Sequence, residues 1–344
     1  MASNITLYSG SPLMGSPVIV HVTAGSYSNV SLHRVVVKVT VSILSTGIEE
    51  DYKFTLPVST EGSMLEVDIS SALRSAVDGY SYVAHTSAGT KTYPIATAHI
   101  EAYDEYMRNG IAYQSGTIQI QGTYKFIFGA WTDRERMSSG LTRGVTSLTR
   151  KPAVGEVVPS DGSLYAYAPV YSYSENSWSS QGTPSAPTSL SVAISSLDVD
   201  SVNVVAGRYV YVSSDVDHCY EFQFVNGYGV IESAFAYCLS ERSVSKEVKE
   251  YAVSVPMAFN KINRFVTRKL NSRHALKMST GPVTVEWLDW WLEEFLNTHQ
   301  AWMYDGGSWV PVSIVPDDKT DSLDLSSDKL PEVTFTVKID LVGG

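Results

Sequence analysis

From residue 32 to residue 43 apolar and polar side chains alternate. Val35, Val37, Val39, Val41 and Ile43 fall on one face, and Arg34, Lys38, Thr40 and Ser42 on the other. A repeat of two is the pitch of a strand buried on one side. The same pattern returns at Tyr52, Phe54, Leu56 and Val58, and again at Leu65, Val67 and Ile69. The last of these runs into SSALRSAVDG, where Ser70 or Ser71 is placed to cap a short helix. Leu73 and Val77 lie one turn apart on its inner face, and Gly79 stops it. Two further strands are expected around 93–103 and 117–128. In the second, Ile118, Ile120, Tyr124, Phe126 and Phe128 share a face with Gly122, where a bend is expected.

Periodicity then fails. Residues 131–190 are rich in Ser, Pro, Gly and Tyr, and at most one hairpin is expected there. Strands resume near 202–213, 219–225, 230–238, 246–256 and 262–268. The cleanest comes last, with Val333, Phe335, Val337, Ile339 and Leu341 on one face. Between them TVEWLDWWLEEFLNTHQ predicts an amphipathic helix over 284–299 with Thr284 as N-cap, followed by an aromatic hairpin turning at Asp305-Gly306-Gly307. No strand–helix alternation of a parallel sheet is present. The expectation is a mainly β chain of two sandwich-like domains, 1–130 and 191–344, each with one short helix, joined by the irregular excursion 131–190.

Composition narrows the function. Of 344 residues, 44% are hydrophobic and only 18% charged, so a large core can form. The net charge of -11 offers nucleic acid no general attraction. No stretch approaches a membrane span, and the N-terminus lacks the basic and apolar regions of a signal peptide. Motifs for zinc proteases, paired-cysteine metal sites, serine hydrolases and phosphate loops are absent. Gly227 and Gly229 are followed by Glu232 where a dinucleotide loop needs glycine. The seven histidines have no ligand spacing, so no metal and no cofactor is expected. A hairpin across 226–229 would set Cys219 opposite Ala236 and diagonal to Cys238, an arrangement that favours two free thiols.

On a uniform helical wheel Val285, Leu288, Trp291, Leu292, Phe295, Leu296 and His299 share the buried face. Trp290 projects the other way, among Glu286, Glu293, Glu294 and Asn297. Two readings stand for Trp290: it packs beneath another part of the chain, such as the excursion, or it anchors a subunit contact. The acids beside these tryptophans lie on one helix face, which does not suit a glycosidase pair. Tyr165, Tyr167, Tyr171, Tyr173 and Trp178 form an aromatic group on the excursion. It suits either a hairpin covering a sheet edge or a contact surface for protein or glycan. Charge is polarised as well. Residues 241–277, with Arg264, Arg268 and Lys269 among them, carry a net +6, and residues 281–344 a net -9. Such edges guard against aggregation, or fit identical subunits together in a ring.

The order of several short segments resembles a family. A strand runs into Val67-Asp68-Ile69-Ser70-Ser71-Ala72-Leu73. Then come a Gly129–Arg136 stretch, a Leu148–Pro152 segment, and a turn with Phe224, Asn226 and Gly229. A helix, an aromatic hairpin and Pro311-Val312 with Ile314 complete the series. In this order the chain is similar to prophage-encoded tail proteins of gut anaerobes, of the distal-tail or baseplate-hub type. The resemblance spans nearly the whole chain. It implies a non-enzymatic virion component made in the bacterial cytoplasm and incorporated into the tail, with copies of itself and other tail proteins as partners. The chain has no coiled coil and no appended receptor-binding lobe, so assembly is expected rather than host adhesion. The competing expectation is a surface carbohydrate-binding or adhesin-like module using the excursion aromatics.

Overall fold

The computed structural model describes residues 4–7, 13–43, 47–77, 80–93, 95–119, 124–130, 132, 134–135, 137, 148–161, 165–167, 188–205, 207–216, 219–256, 261–317 and 330–341. The chain is mainly β. The N-terminal strands are β1 (Asn4–Leu7), β2 (Ile19–Thr23), β3 (Ser31–Ile43), β4 (Ile48–Pro57) and β5 (Met64–Asp68). Helix α1 (Ser70–Val77) follows, then β6 (Gly89–Thr92), β7 (Ile95–Arg108), β8 (Ile111–Gln114), β9 (Ile118–Gln119) and β10 (Tyr124–Ile127). They build a three-stranded sheet, β1-β2-β5, and a larger one ordered β10-β7-β3-β4, with β8 and β9 also on β7. The alternating valines of β3 are fully buried and share one core with Val20, Val22 and Val67 of the smaller sheet and Leu73 of α1. The helix is started by an aspartate rather than a serine: Asp68 Oδ1 accepts from the amides of Ser70 at 2.9 Å and Val18 at 3.0 Å. A carboxylate there satisfies a free helix amide and joins it to β2.

The excursion contributes strands to its neighbours. β11 (Glu156–Pro159) runs parallel to β15 (Arg208–Ser213), which also pairs with β14 (Ser201–Val205). β12 (Tyr165–Tyr167) pairs with β13 (Thr188–Val192), and β13 with β6. The remaining strands are β16 (Cys219–Val225), β17 (Ile231–Pro256), β18 (Lys261–Pro282), β19 (Ala301–Asp305), β20 (Ser308–Pro316) and β21 (Glu332–Leu341). Where alternation alone suggests a second sandwich, these six close into a barrel, β16-β17-β18-β21-β20-β19, because β16 pairs back onto β19. Closure removes free edges. The hairpin between β16 and β17 turns over five residues, with Val225 opposite Ile231, so Cys219 faces Tyr237 and not Ala236. Cys219 is a free thiol, and burial pushes its pKa up to about 12.

β17 and β18 are far longer than the barrel needs. β16 pairs with β17 as far as Tyr237, and β21 pairs with β18 from Ser272 onward. Beyond those points β17 and β18 pair with each other from Glu247↔Asn271 to Pro256↔Lys261, with no third strand among the described residues. Ten residues at about 3.3 Å each make an arm of ~33 Å. Register shifts interrupt the pairing at Cys238/Arg242, before the arm, and at Lys249/Glu250, within it.

Helix α2 (Val285–Trp290) starts as expected, with the Thr284 side chain accepting from the Trp287 amide. It then widens into a π-helical turn, Trp291–Phe295, closed by the Leu296 amide on the Trp291 carbonyl at 3.0 Å. The wider turn breaks the uniform wheel. Val285 is exposed, whereas Trp290 is only 3% exposed and belongs to the barrel core. Trp291 and Phe295 stack among Phe222, Phe224 and Phe335, with Phe295 centroids 5.5, 5.2 and 5.3 Å from those three. Trp290 is therefore not a surface anchor; the excursion covers it, as the Lys151 ammonium lies 5.1 Å from its ring centroid. Trp290→Ala should lower unfolding free energy by about 3–5 kcal/mol in urea titration. A surface anchor would leave the midpoint nearly unchanged.

Candidate functional site

The extended segment Leu148–Pro152 lies between the N-terminal sheets and the barrel. Each residue holds something different. Leu148 is fully buried, and its carbonyl accepts from Asn226 Nδ2 at 2.8 Å. The Thr149 hydroxyl donates to Glu232, which is buried in β17. Arg150 makes a two-pronged contact with Glu135, Nε at 3.0 Å and Nη2 at 2.7 Å. Its Nη1 pairs with Glu294, and Nη2 also reaches the Ala130 carbonyl at 2.8 Å. Lys151 pairs with Glu156 and donates to the Ser233 carbonyl at 2.9 Å. Arg208 closes the far end, donating to the carbonyls of Lys151 and Pro152.

Arg150 is the hub. Its guanidinium carbon sits 4.0 Å from the Tyr228 ring centroid, and the Tyr228 hydroxyl donates to Glu135 at 3.0 Å. Glu135 is fixed from its own side by a capping box: its carboxylate accepts from the Thr132 amide at 2.9 Å, and its amide donates to Thr132 Oγ1 at 3.2 Å. The other Glu294 oxygen accepts from the Gly227 amide at 2.6 Å. Burial alone would depress the Arg150 pKa, but Glu294 and Glu135 raise it above its ordinary value. Burial works against Glu135 too, and Arg150 reverses it, so that carboxyl titrates low. Deeper in, burial dominates: the Glu232 carboxyl is pushed up and the Lys151 ammonium down.

Backbone contact at this seam is close enough to require glycine. A Cβ on Gly129 would come within 2.5 Å of the Gly227 carbonyl, and one on Gly229 within 2.4 Å of Phe128 Cβ. The Ala130 amide uses that proximity to donate to the Gly227 carbonyl at 2.8 Å. From the sandwich side Tyr82 donates to the Gly229 carbonyl at 2.9 Å, and Gln223 exchanges two bonds with the His85 backbone, at 2.6 and 2.9 Å. The Ile231 amide donates to the Tyr93 hydroxyl, which is also hydrogen-bonded to His85 Nε2 at 2.9 Å. A cleft of about 460 Å³ opens beside the seam, with Tyr80, Arg150, Glu293 and Asn297 in its wall. Elsewhere, buried Asp104 accepts from Tyr27, His33 and the Gly25 amide, tying the entry to β3 onto β7.

The three segments Gly129–Arg136, Leu148–Pro152 and Phe224–Gly229 thus meet at one place through their described residues. The other predicted site residues scatter. Glu294 is an internal ion-pair partner with its side chain 1% exposed, so it offers no contact to another subunit. Glu293 is half-buried at the cleft, its carboxyl raised by burial, and Glu286 is exposed. Arg264, Arg268 and Lys269 lie in the strand of the arm. Tyr165 and Tyr167 lie on β12, and Tyr171, Tyr173 and Trp178 fall outside the described residues. Among the described residues no three His, Cys, Asp or Glu side chains converge as a metal site would require, and no helix is long and apolar enough to cross a membrane. Compared with protein-family models, curated proteins and solved structures, the chain matches none.

What this arrangement does chemically is hold. Removing one member of a buried ion pair costs about 3–5 kcal/mol because the other is left charged and unpaired. Arg150→Met should therefore destabilise by that order in urea unfolding, and adding Glu294→Gln should recover part of the loss. Acid should loosen the same seam. Burial, with the charge of Lys91, depresses the His85 imidazole to about 4. Its unfolded value is about 6.5, so the folded state resists a proton that the unfolded chain takes up. Stability is full above pH ~6.5 and falls as pH drops towards ~4. His85→Gln should flatten that slope in urea midpoints measured against pH, and an unchanged slope would place the titrating group elsewhere.

Proposed function

We propose that the chain is a non-enzymatic structural subunit that works by assembly, as a tail-tip or baseplate component of a phage or prophage particle. The arm of β17 and β18 carries this reading. A two-stranded ribbon is only marginally stable alone in water. This one continues for ten residue pairs beyond its last third strand, with backbone edges that no other described strand pairs. Long unpaired edges invite another chain. The body behind it is tied by buried charges, which suits a subunit that transmits position. The order of the motif segments supports a tail protein in particular, and their meeting at one seam gives them a shared structural purpose.

The experiment replaces Glu247–Asn271 by Asn-Gly, joining Lys246 to Ser272, which already face each other. Sedimentation velocity should show the full chain as a concentration-dependent ring-sized oligomer and the shortened chain as a monomer with an unchanged thermal melt. A full chain that stays monomeric throughout, or a shortened chain that still assembles, would contradict the proposal. Retention on a glycan array by a monomeric chain would favour the carbohydrate-binding module.

A further inference from the structure

The small sheet β11-β15-β14 has two unlike faces. Val158, Val205, Val210 and Val212 point inward to a core shared with Ile194 and Phe235. The alternate positions point outward and are just as apolar: Val157 on β11, Tyr209 and Tyr211 on β15, Val202 and Val204 on β14. Register makes them neighbours, since Tyr211 pairs with both Val157 and Val202 and Tyr209 with Val204. Val202 is 62% and Val204 66% exposed. An outward face with no polar alternation is the mark of a contact surface. Four exposed aspartates, Asp161, Asp198, Asp200 and Asp215, crowd the Val212 end of this sheet. Backbone bonds bring them together, Asp200 to the Val212 carbonyl at 2.7 Å and Ser160 to the Ser213 carbonyl at 3.0 Å. The sole basic residue of 192–216 is Arg208, which is buried.

The arm has the complementary character. Residues 246–273 hold seven Lys and Arg against two Glu. Register sets Tyr251 opposite Val266, Val253 opposite Arg264 and Val255 opposite Ile262. We infer that the acidic-rimmed face of β11-β15-β14 is the docking surface for the basic arm of a second copy of this chain. This rests on the assembly reading and names its contact. The contact is heterologous, arm to sheet, which generates rings or open arrays rather than two-fold dimers. Apolar positions supply the buried area, and the opposite charges set orientation and association rate.

The test uses the full chain and sedimentation equilibrium at low and physiological salt. Val204→Ser with Tyr211→Ser should weaken self-association by roughly tenfold or more while leaving the melt in place. Asp161→Lys with Asp215→Lys should weaken it by roughly tenfold at low salt and less at high salt. Arg264→Glu with Arg268→Glu should do the same, and the two charge reversals together in one chain should restore association. If shortening the arm abolishes association but none of these variants alters it, the acceptor lies elsewhere; the inference falls and the assembly reading stands. If the sheet variants weaken association and the combined reversal does not restore it, the sheet meets another surface, such as its own copy, and the arm is not its occupant. A full chain that never associates removes both.

Discussion

A guanidinium taken out of water must bring its counter-charges with it, and in this chain that requirement decides how the two halves meet. Arg150 is held by Glu135 and Glu294, which lie on different structural units, and it covers the Tyr228 ring. None of these groups can move away without leaving a buried charge exposed to a low dielectric. The same contacts fix the end of β10 through the Ala130 carbonyl, the β16–β17 turn through Gly227, and the end of the helix through Glu294. Hydrophobic packing reinforces them: the sandwich core runs without interruption into Val225, Tyr228, Val230, Ile231 and Trp302 of the barrel. The seam is where the sheets, the excursion and the barrel become one body.

The arm grows directly out of this body. β17 and β18 are barrel staves at one end and, at the other, a ribbon that no other described strand pairs, so ribbon and barrel wall share the same two strands. The π-helical turn has a similar double duty. It brings Trp291 and Phe295 into the barrel core while turning Glu294 towards the seam, two demands that a uniform α-helix of this sequence would not meet together. The excursion, irregular in sequence, lays Lys151 over Trp290 and supplies β11 to the small sheet.

Much of the strand framework is legible from alternation, because one-sided burial writes a period of two into β3 and β21. The start of the second helix is legible from Thr284, and the turn at Gly306-Gly307 from its glycines. Its phase is not, because the wheel assumes one pitch and the chain uses two, which is why Trp290 reads as outward. Barrel closure is also hidden: it depends on β16 meeting β19, about eighty residues later, and no local pattern encodes that pairing. The arm reads as two separate strands, since register shifts interrupt the alternation that would have joined it to the barrel. The seam was the least visible part. Nothing local to Arg150 and Lys151 names their partners, and one partner of Arg150 lies 144 positions away. The one local sign was Thr132 three residues before Glu135, the spacing of a capping box.

If the seam joins sandwich and barrel, the two unfold as a single cooperative unit. Differential scanning calorimetry of the full chain at neutral pH tests it most directly. One transition is expected, with sandwich and barrel unfolding together. Two resolved transitions, with the lower one insensitive to Arg150→Met, would contradict it.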